Sequence, residues 1–279
     1  MKKLIITFVL IIFSTLSSNA FELNNYQQVK LTLREYNKAL SGQDIEKVKS
    51  FYDENYKSAD GFTLDELMQM LEKTYSAYGK MKQKTKINNI TAYDNYAIVQ
   101  LKDKTHACVY PDKNKTKGKE GILDGESLYS LYFKKSGDKW KIFYDEIISE
   151  TTSLKYGVAN KIPMGIVTPA LITNNEKYDL SLKMKKPDDI IALASISNEE
   201  IEYPTPDYKE KFRKFPSEGE LQRVVKANNK NKNEYAVASV GFTRVSMNKE
   251  ETKARIEIIG IAYLMKRINM IQLKENNEQ

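Results

Sequence analysis

Cysteine, histidine and tryptophan each occur once in this chain of 279 residues, and each scarcity removes a class of function. With Cys108 as the only cysteine no intramolecular disulfide can form, so the fold has to be held by its core, and Cys108 itself reads as a small buried hydrophobe. One histidine, His106, and one cysteine cannot supply the nitrogen and sulfur ligands of a zinc site, and neither a metal nor a cofactor is expected. Phosphate-loop, dinucleotide and Gly-x-Ser-x-Gly fingerprints are absent. Charge of a single sign is lacking too. The 44 basic and 37 acidic residues are interspersed, which makes a mixed surface rather than a nucleic-acid footprint. Long apolar runs are confined to one place, Leu4 to Leu16.

Lys2 and Lys3 precede that run, and Ser18 and Ala20 follow it at the spacing of a cleavage site. Residues 1–20 therefore read as a secretory signal peptide, because the run falls short of the roughly 20 apolar residues of a spanning helix. The alternative is an uncleaved anchor. The expected product is periplasmic or secreted, of bacterial origin, with no stable membrane span after cleavage. Its charge falls by the two lysines, from +7 to +5.

Three helices are expected first. Asn25 with Gln28 resembles a capping pair, and Val29, Leu33, Tyr36 and Leu40 recur on one face. Asp44 caps a second helix through Ile45, Val48, Phe51 and Tyr52. Thr63 with Glu66 forms a capping box before Leu64, Leu67, Met68, Leu71, Tyr75 and Tyr78, and Gly79 ends the helix. Strands follow at Lys84–Tyr93, Tyr96–Tyr110, Ser127–Lys135 and Lys139–Ile148, with a lysine-rich loop (Lys113, Lys115, Lys117, Lys119) that reads as solvated. Helices and then an antiparallel meander make an α+β layout. The pattern loosens from Glu150, so residues 21–155 are read as one domain, 156–164 as a linker and 165–279 as a β-rich domain. The second is expected to be an immunoglobulin-like sandwich, in which Ser217 and Glu220 start a short helix to Lys226.

The run Tyr36-Asn37-Lys38-Ala39-Leu40-Ser41-Gly42-Gln43-Asp44, the Phe51-Tyr52-x-x-x-Tyr56 that follows, and the closing Gly137-x-x-Trp140-x-Ile142 carry a likeness. Residues from about 26 to 148 resemble the nuclear transport factor 2-like superfamily, the cone-shaped fold shared with ketosteroid isomerase and the polyketide cyclases. The resemblance implies a curved sheet wrapped around a helix, a pocket or packed interior inside the cone, and dimerisation through the sheet. The second half resembles no family.

The resemblance also implies where chemistry would sit. Tyr36, Tyr52, Tyr56, Asp60, Tyr75 and Trp140 are the candidate pocket-lining residues. Asp60 is the weak catalytic candidate, with Tyr56, Tyr36 or Tyr75 as its phenol partner; read without chemistry, Asp60-Gly61 is a turn. By alternation His106 shares the polar face with Gln100, Lys102, Lys104 and Cys108, away from the cone interior. No acid–base pair stands out, so the expected function is a non-enzymatic exported protein binding a small ligand or an envelope protein. The alternatives are a cone-pocket isomerase or hydrolase, or a purely structural homodimer.

Overall fold

The computed structural model describes residues 24–78, 81–109, 120–205, 210–247 and 254–271. The signal-like residues 1–20, Gly79 and the four lysines of the loop lie outside them. Among the described residues no helix is long and apolar enough to cross a membrane, which leaves strands unaddressed.

Helix α1 (Asn25–Ser41) starts where the Asn24 side chain accepts the Gln27 N–H, and it buries Val29, Leu33, Tyr36 and Ala39 at three- and four-residue steps. Helix α2 (Ile45–Lys49) is a single short turn capped by Asp44. Helix α3 (Leu64–Ala77) opens on the reciprocal Thr63–Glu66 capping box. The rest is strand: β1 (Tyr52–Ser58), β2 (Lys82–Ala92), β3 (Tyr96–Val109), β4 (Gly121–Ser136), β5 (Lys139–Gly157), β6 (Met164–Val167), β7 (Leu171–Thr173), β8 (Lys177–Met184), β9 (Ile191–Glu200), β10 (Arg213–Lys214), β11 (Glu220–Lys226), β12 (Glu234–Met247) and β13 (Ala254–Ile271).

This overturns the expected α+β class. The chain is mostly β, and neither a first half of cone-shaped helices on a curved antiparallel sheet nor a separate immunoglobulin-like sandwich describes it. One sheet of ten strands runs through both halves in the order β10-β9-β12-β13-β5-β4-β3-β2, with β1 attached to β5 and β7 to β13. A second sheet, β11-β8-β6, packs over its far end on a core that includes Leu180, Leu182, Ala238, Phe242 and Ile268. The span read as a linker is structured: Tyr156 and Gly157 finish β5, and a 3-10 turn (Val158–Lys161) leads to the buried Ile162.

Two helical readings fail for one physical reason. Apolar residues four apart fit a helix face, yet they also fall on one face of a strand. Tyr52, read on one helix face with Val48, opens β1, which pairs in parallel with β5. Leu221 and Val225, read as helical after Ser217 and Glu220, belong to β11, which pairs with β8 along its whole length. Cys108 is exposed rather than buried, because it shares the outer face of β3 with His106.

The length of β5, 19 residues, explains the continuous sheet. One edge is covered by β4. The other is divided: β1 takes it from Ile142 to Asp145, and β13 takes it from Thr151 to Gly157. At the far end of that strand the Tyr156 ring lies on Gly121, where a Cβ would come within 2.3 Å of a ring carbon. Gly121→Ala is expected to destabilise the fold by about 1–3 kcal/mol. Gly165→Ala, which meets only open space, should leave the urea midpoint nearly unchanged, and equal midpoints for both variants would refute the packing account.

Candidate functional site

The six sequence-predicted site residues do not converge on one place. Tyr36, Tyr52, Tyr56 and Trp140 are buried in the core formed by α1, β1 and the inner face of the sheet. Their rings pack edge to face, with centroids 6.0 Å apart for Tyr36 and Tyr52 and 4.9 Å apart for Tyr52 and Tyr56. The Tyr36 and Tyr52 hydroxyls hydrogen-bond at 2.8 Å, and the Trp140 indole N–H donates to Gln28 at 3.1 Å. Tyr75 is half-buried at the rim, donating to the Leu40 carbonyl at 3.3 Å.

Asp60 is elsewhere. It follows β1 on the divided edge of β5, and there it meets Arg267 from β13. The guanidinium donates to both carboxylate oxygens, at 2.9 and 2.7 Å, and the two side chains are 1% and 7% exposed. Asn233 donates a third hydrogen bond to Asp60 at 2.7 Å. Arg267 in turn donates to Asn269, whose amide reaches the Ile148 carbonyl at 2.7 Å. Burial alone would pull the Arg267 pKa down, and the bonds and charge of Asp60 more than reverse that. A carboxylate consumed in this way is a clasp between the two ends of the chain rather than a base.

The acid–phenol pairing exists with other carboxylates. Tyr56 donates to Asp145 at 2.8 Å, and Tyr129 donates to Asp103 at 2.8 Å beside a second donor, Gln83. Asp103 is 5% exposed, and its other oxygen has no partner. Burial pushes the Asp145 carboxyl up to about 6, against the Tyr56 hydrogen bond, which lowers it. Burial also raises the Tyr52 and Tyr129 phenols well above the usual range, so both stay protonated near neutrality. Asp145 is thus a proton-exchanging group near neutral pH. Asp103 was detectable in the sequence: by alternation it falls on the inner face with Val99, Leu101 and Ala107, the one charge among them.

A third region lies on the outer face. Register aligns Lys82, His106, Asp124, Ser153 and Leu264 in one row across β2, β3, β4, β5 and β13, and Lys84, Lys104, Glu126, Thr151 and Lys266 in the next. At the β13 end, β6 overhangs the sheet with Met164 and Ile166. The result is a groove of about 770 Å³. His106 is hydrogen-bonded to Asp124 at 2.8 Å, and Ser153 stands on the far side of Asp124. A serine hydrolase needs the imidazole between carboxylate and hydroxyl, so this order is not a triad. Among the described residues no three metal-ligating side chains gather.

No protein-family model and no curated protein matches the sequence. Solved structures do match part of it. Bd1075 from Bdellovibrio bacteriovorus is 24% identical over 43% of this chain, with a TM-score of 0.36, and the match spans only 39% of that protein. A protein of the NTF2-like family from Streptomyces avermitilis is 13% identical over 44% of this chain and 94% of its own, with a TM-score of 0.36. Kfla4162 from Kribbella flavida is 8% identical over 44% and 88%, with a TM-score of 0.38. Part of the chain is similar to a structure of the NTF2-like family. With every TM-score here below 0.5, these likenesses say nothing of activity.

Removing either member of the clasp strands a buried charge. Asp60→Ala or Arg267→Ala should each lower stability by about 3–5 kcal/mol, whereas the double variant Asp60→Leu/Arg267→Met should recover most of it. Urea denaturation checks this, and single variants as stable as the native chain would rule the clasp out. Asp145 gives a pH test. Its folded pKa lies above the usual carboxylate value, so the native state holds a proton that the unfolded chain releases. Stability from this group is present below about pH 4 and lost as pH rises to about 6, by at most roughly 3 kcal/mol. The difference in stability between Asp145→Asn and the native chain should therefore grow in favour of the variant across that window. A pH-independent difference would contradict the raised pKa.

Proposed function

We propose that this chain is an exported binding protein that holds a ligand in the outer-face groove and carries out no catalysis. The observation that carries the reading is the groove itself. Its volume of about 770 Å³ falls within the range of ligand sites, and its apolar residues, Leu264, Met164 and Ile166, gather at the β13 end beside Lys266. The packed rings of the cone interior support the reading, since Tyr36, Tyr52 and Tyr56 fill with their own side chains the place where the family resemblance puts a pocket. The engagement of Asp60 by Arg267 supports it as well, because it removes the carboxylate that an enzyme reading required. The apolar run after Lys2 and Lys3 supports export, and a bacterial envelope or the exterior is where the ligand would be met.

The test is native mass spectrometry of the mature protein from its own source, before and after denaturation, beside Thr151→Trp. Thr151 is exposed in the middle of the groove, and tryptophan suits a strand, so this variant fills the site without opening the core. The expected result is a small molecule released on unfolding from the native protein and missing from a Thr151→Trp protein of unchanged melting temperature. A molecule retained by the variant, or an empty dimer that Thr151→Trp splits, would sink the proposal; the second outcome assigns the outer face to another copy of the chain.

A further inference from the structure

The groove has a direction. Across β2 to β13 it spans four strand-to-strand steps, roughly 19 Å in all. At the β2 end Lys82 and Lys84 are exposed, and among the described residues neither meets a carboxylate. The acids further in are already engaged: Glu126 by Lys102 at 3.3 Å and Lys104 at 2.5 Å, and Asp124 by His106. Two cations are therefore left unspent at one end. At the β13 end the floor is Leu264 and the wall is Met164 and Ile166, with Lys266 donating to the Thr168 carbonyl at 3.5 Å beside them. Among the described residues the ring in the groove is the His106 imidazole, held by Asp124, and no Phe, Tyr or Trp lines it. Without a Phe, Tyr or Trp, a flat sugar or base has no broad aromatic face to stack on at that end, whereas the unbranched, adaptable Met164 suits a flexible chain.

We infer that the groove takes an anionic amphiphile, a carboxylate- or phosphate-headed molecule with an unbranched aliphatic tail. The head sits on Lys82 and Lys84, and the tail runs over Thr151 and Ser153 toward Leu264, Met164 and Ile166. This rests on the reading that the groove is the ligand site. Each half of the molecule contributes one end of it: the charged end belongs to the meander β2–β5 and the apolar end to β6 and β13. The lysines supply orientation and attraction, and the aliphatic end supplies most of the burial.

The experiment is calorimetric titration of the full mature chain with dodecanoate and dodecyl phosphate below their micelle concentrations, with decyl glucoside as a neutral tail and with acetate and inorganic phosphate as bare heads. Both anionic amphiphiles should bind at least about tenfold more tightly than any control. Lys82→Glu/Lys84→Glu should weaken dodecanoate by about tenfold or more and leave decyl glucoside within about twofold, since only the head is touched. Equal binding of dodecanoate and decyl glucoside, or indifference to the two lysines, would overturn the head-group assignment. Binding to phosphatidylglycerol vesicles without binding of monomeric dodecanoate would overturn a free ligand in favour of a membrane head group. If dodecanoate fails while Thr151→Trp still removes the co-purified molecule, the ligand class falls and the groove stands. If Thr151→Trp leaves dodecanoate binding intact, the groove itself falls.

Discussion

The pairing of β13 with the second half of β5, closed at its mouth by Arg267 and Asp60, holds the two halves of this molecule in one sheet. β5 is long enough to be shared. Its first residues on that edge are taken by β1 and its last by β13, and the gap between them is where backbone groups would otherwise face the interior unpaired. Asp60, Asn233, Arg267 and Asn269 fill the gap with charged and amide groups that satisfy one another and reach the Ile148 carbonyl. Tyr235 adds a hydrogen bond to Glu150 on the same side, at 2.6 Å. A buried ion pair of this kind contributes more to the choice of partner than to net stability, since desolvation offsets much of its attraction. Here it selects one docking of β13 beside β1.

Everything proposed for function follows from that junction. The inner face of the sheet closes on α1 and becomes a core of interlocking tyrosines, with Asp103 and Asp145 held inside by phenols. Among the described residues the outer face stays open from β2 to β5, and β6, brought over it by the β13 end, turns a flat strand surface into a groove. A flat lysine-bearing sheet would offer solvated charges and little burial. The overhang adds an aliphatic wall and gives the charges a geometry to work with.

Legibility in the sequence was uneven, and the reason is range. Capping residues act within one turn, so Thr63 with Glu66 and Asp44 as a helix start could be read directly. Alternation acts within one strand, so the outward position of His106 was also readable, and with more care so was the intrusion of Asp103 among apolar neighbours. Spacings of four residues are ambiguous between the two periods, and Tyr52, four after Val48, and Leu221–Val225 went to strands because sheet edges stood ready to pair with them. The loosening of the pattern after Glu150 suggested a boundary at a place where one sheet runs on through β5 and β13.

By itself the sequence determined the local pieces: helix caps, the polar and apolar faces of β3 and β5, and a single cysteine and a single histidine. Those depend on neighbours a few residues away, or on composition alone. Tertiary structure decided which carboxylate meets which partner. Asp60 became a clasp because Arg267, more than two hundred residues later, arrives beside it, and Asp145 rather than Asp60 accepts the Tyr56 hydrogen bond because β1 pairs with β5. The groove likewise joins residues from five strands and from β6, set side by side by long-range register, to which no local pattern in the chain is sensitive.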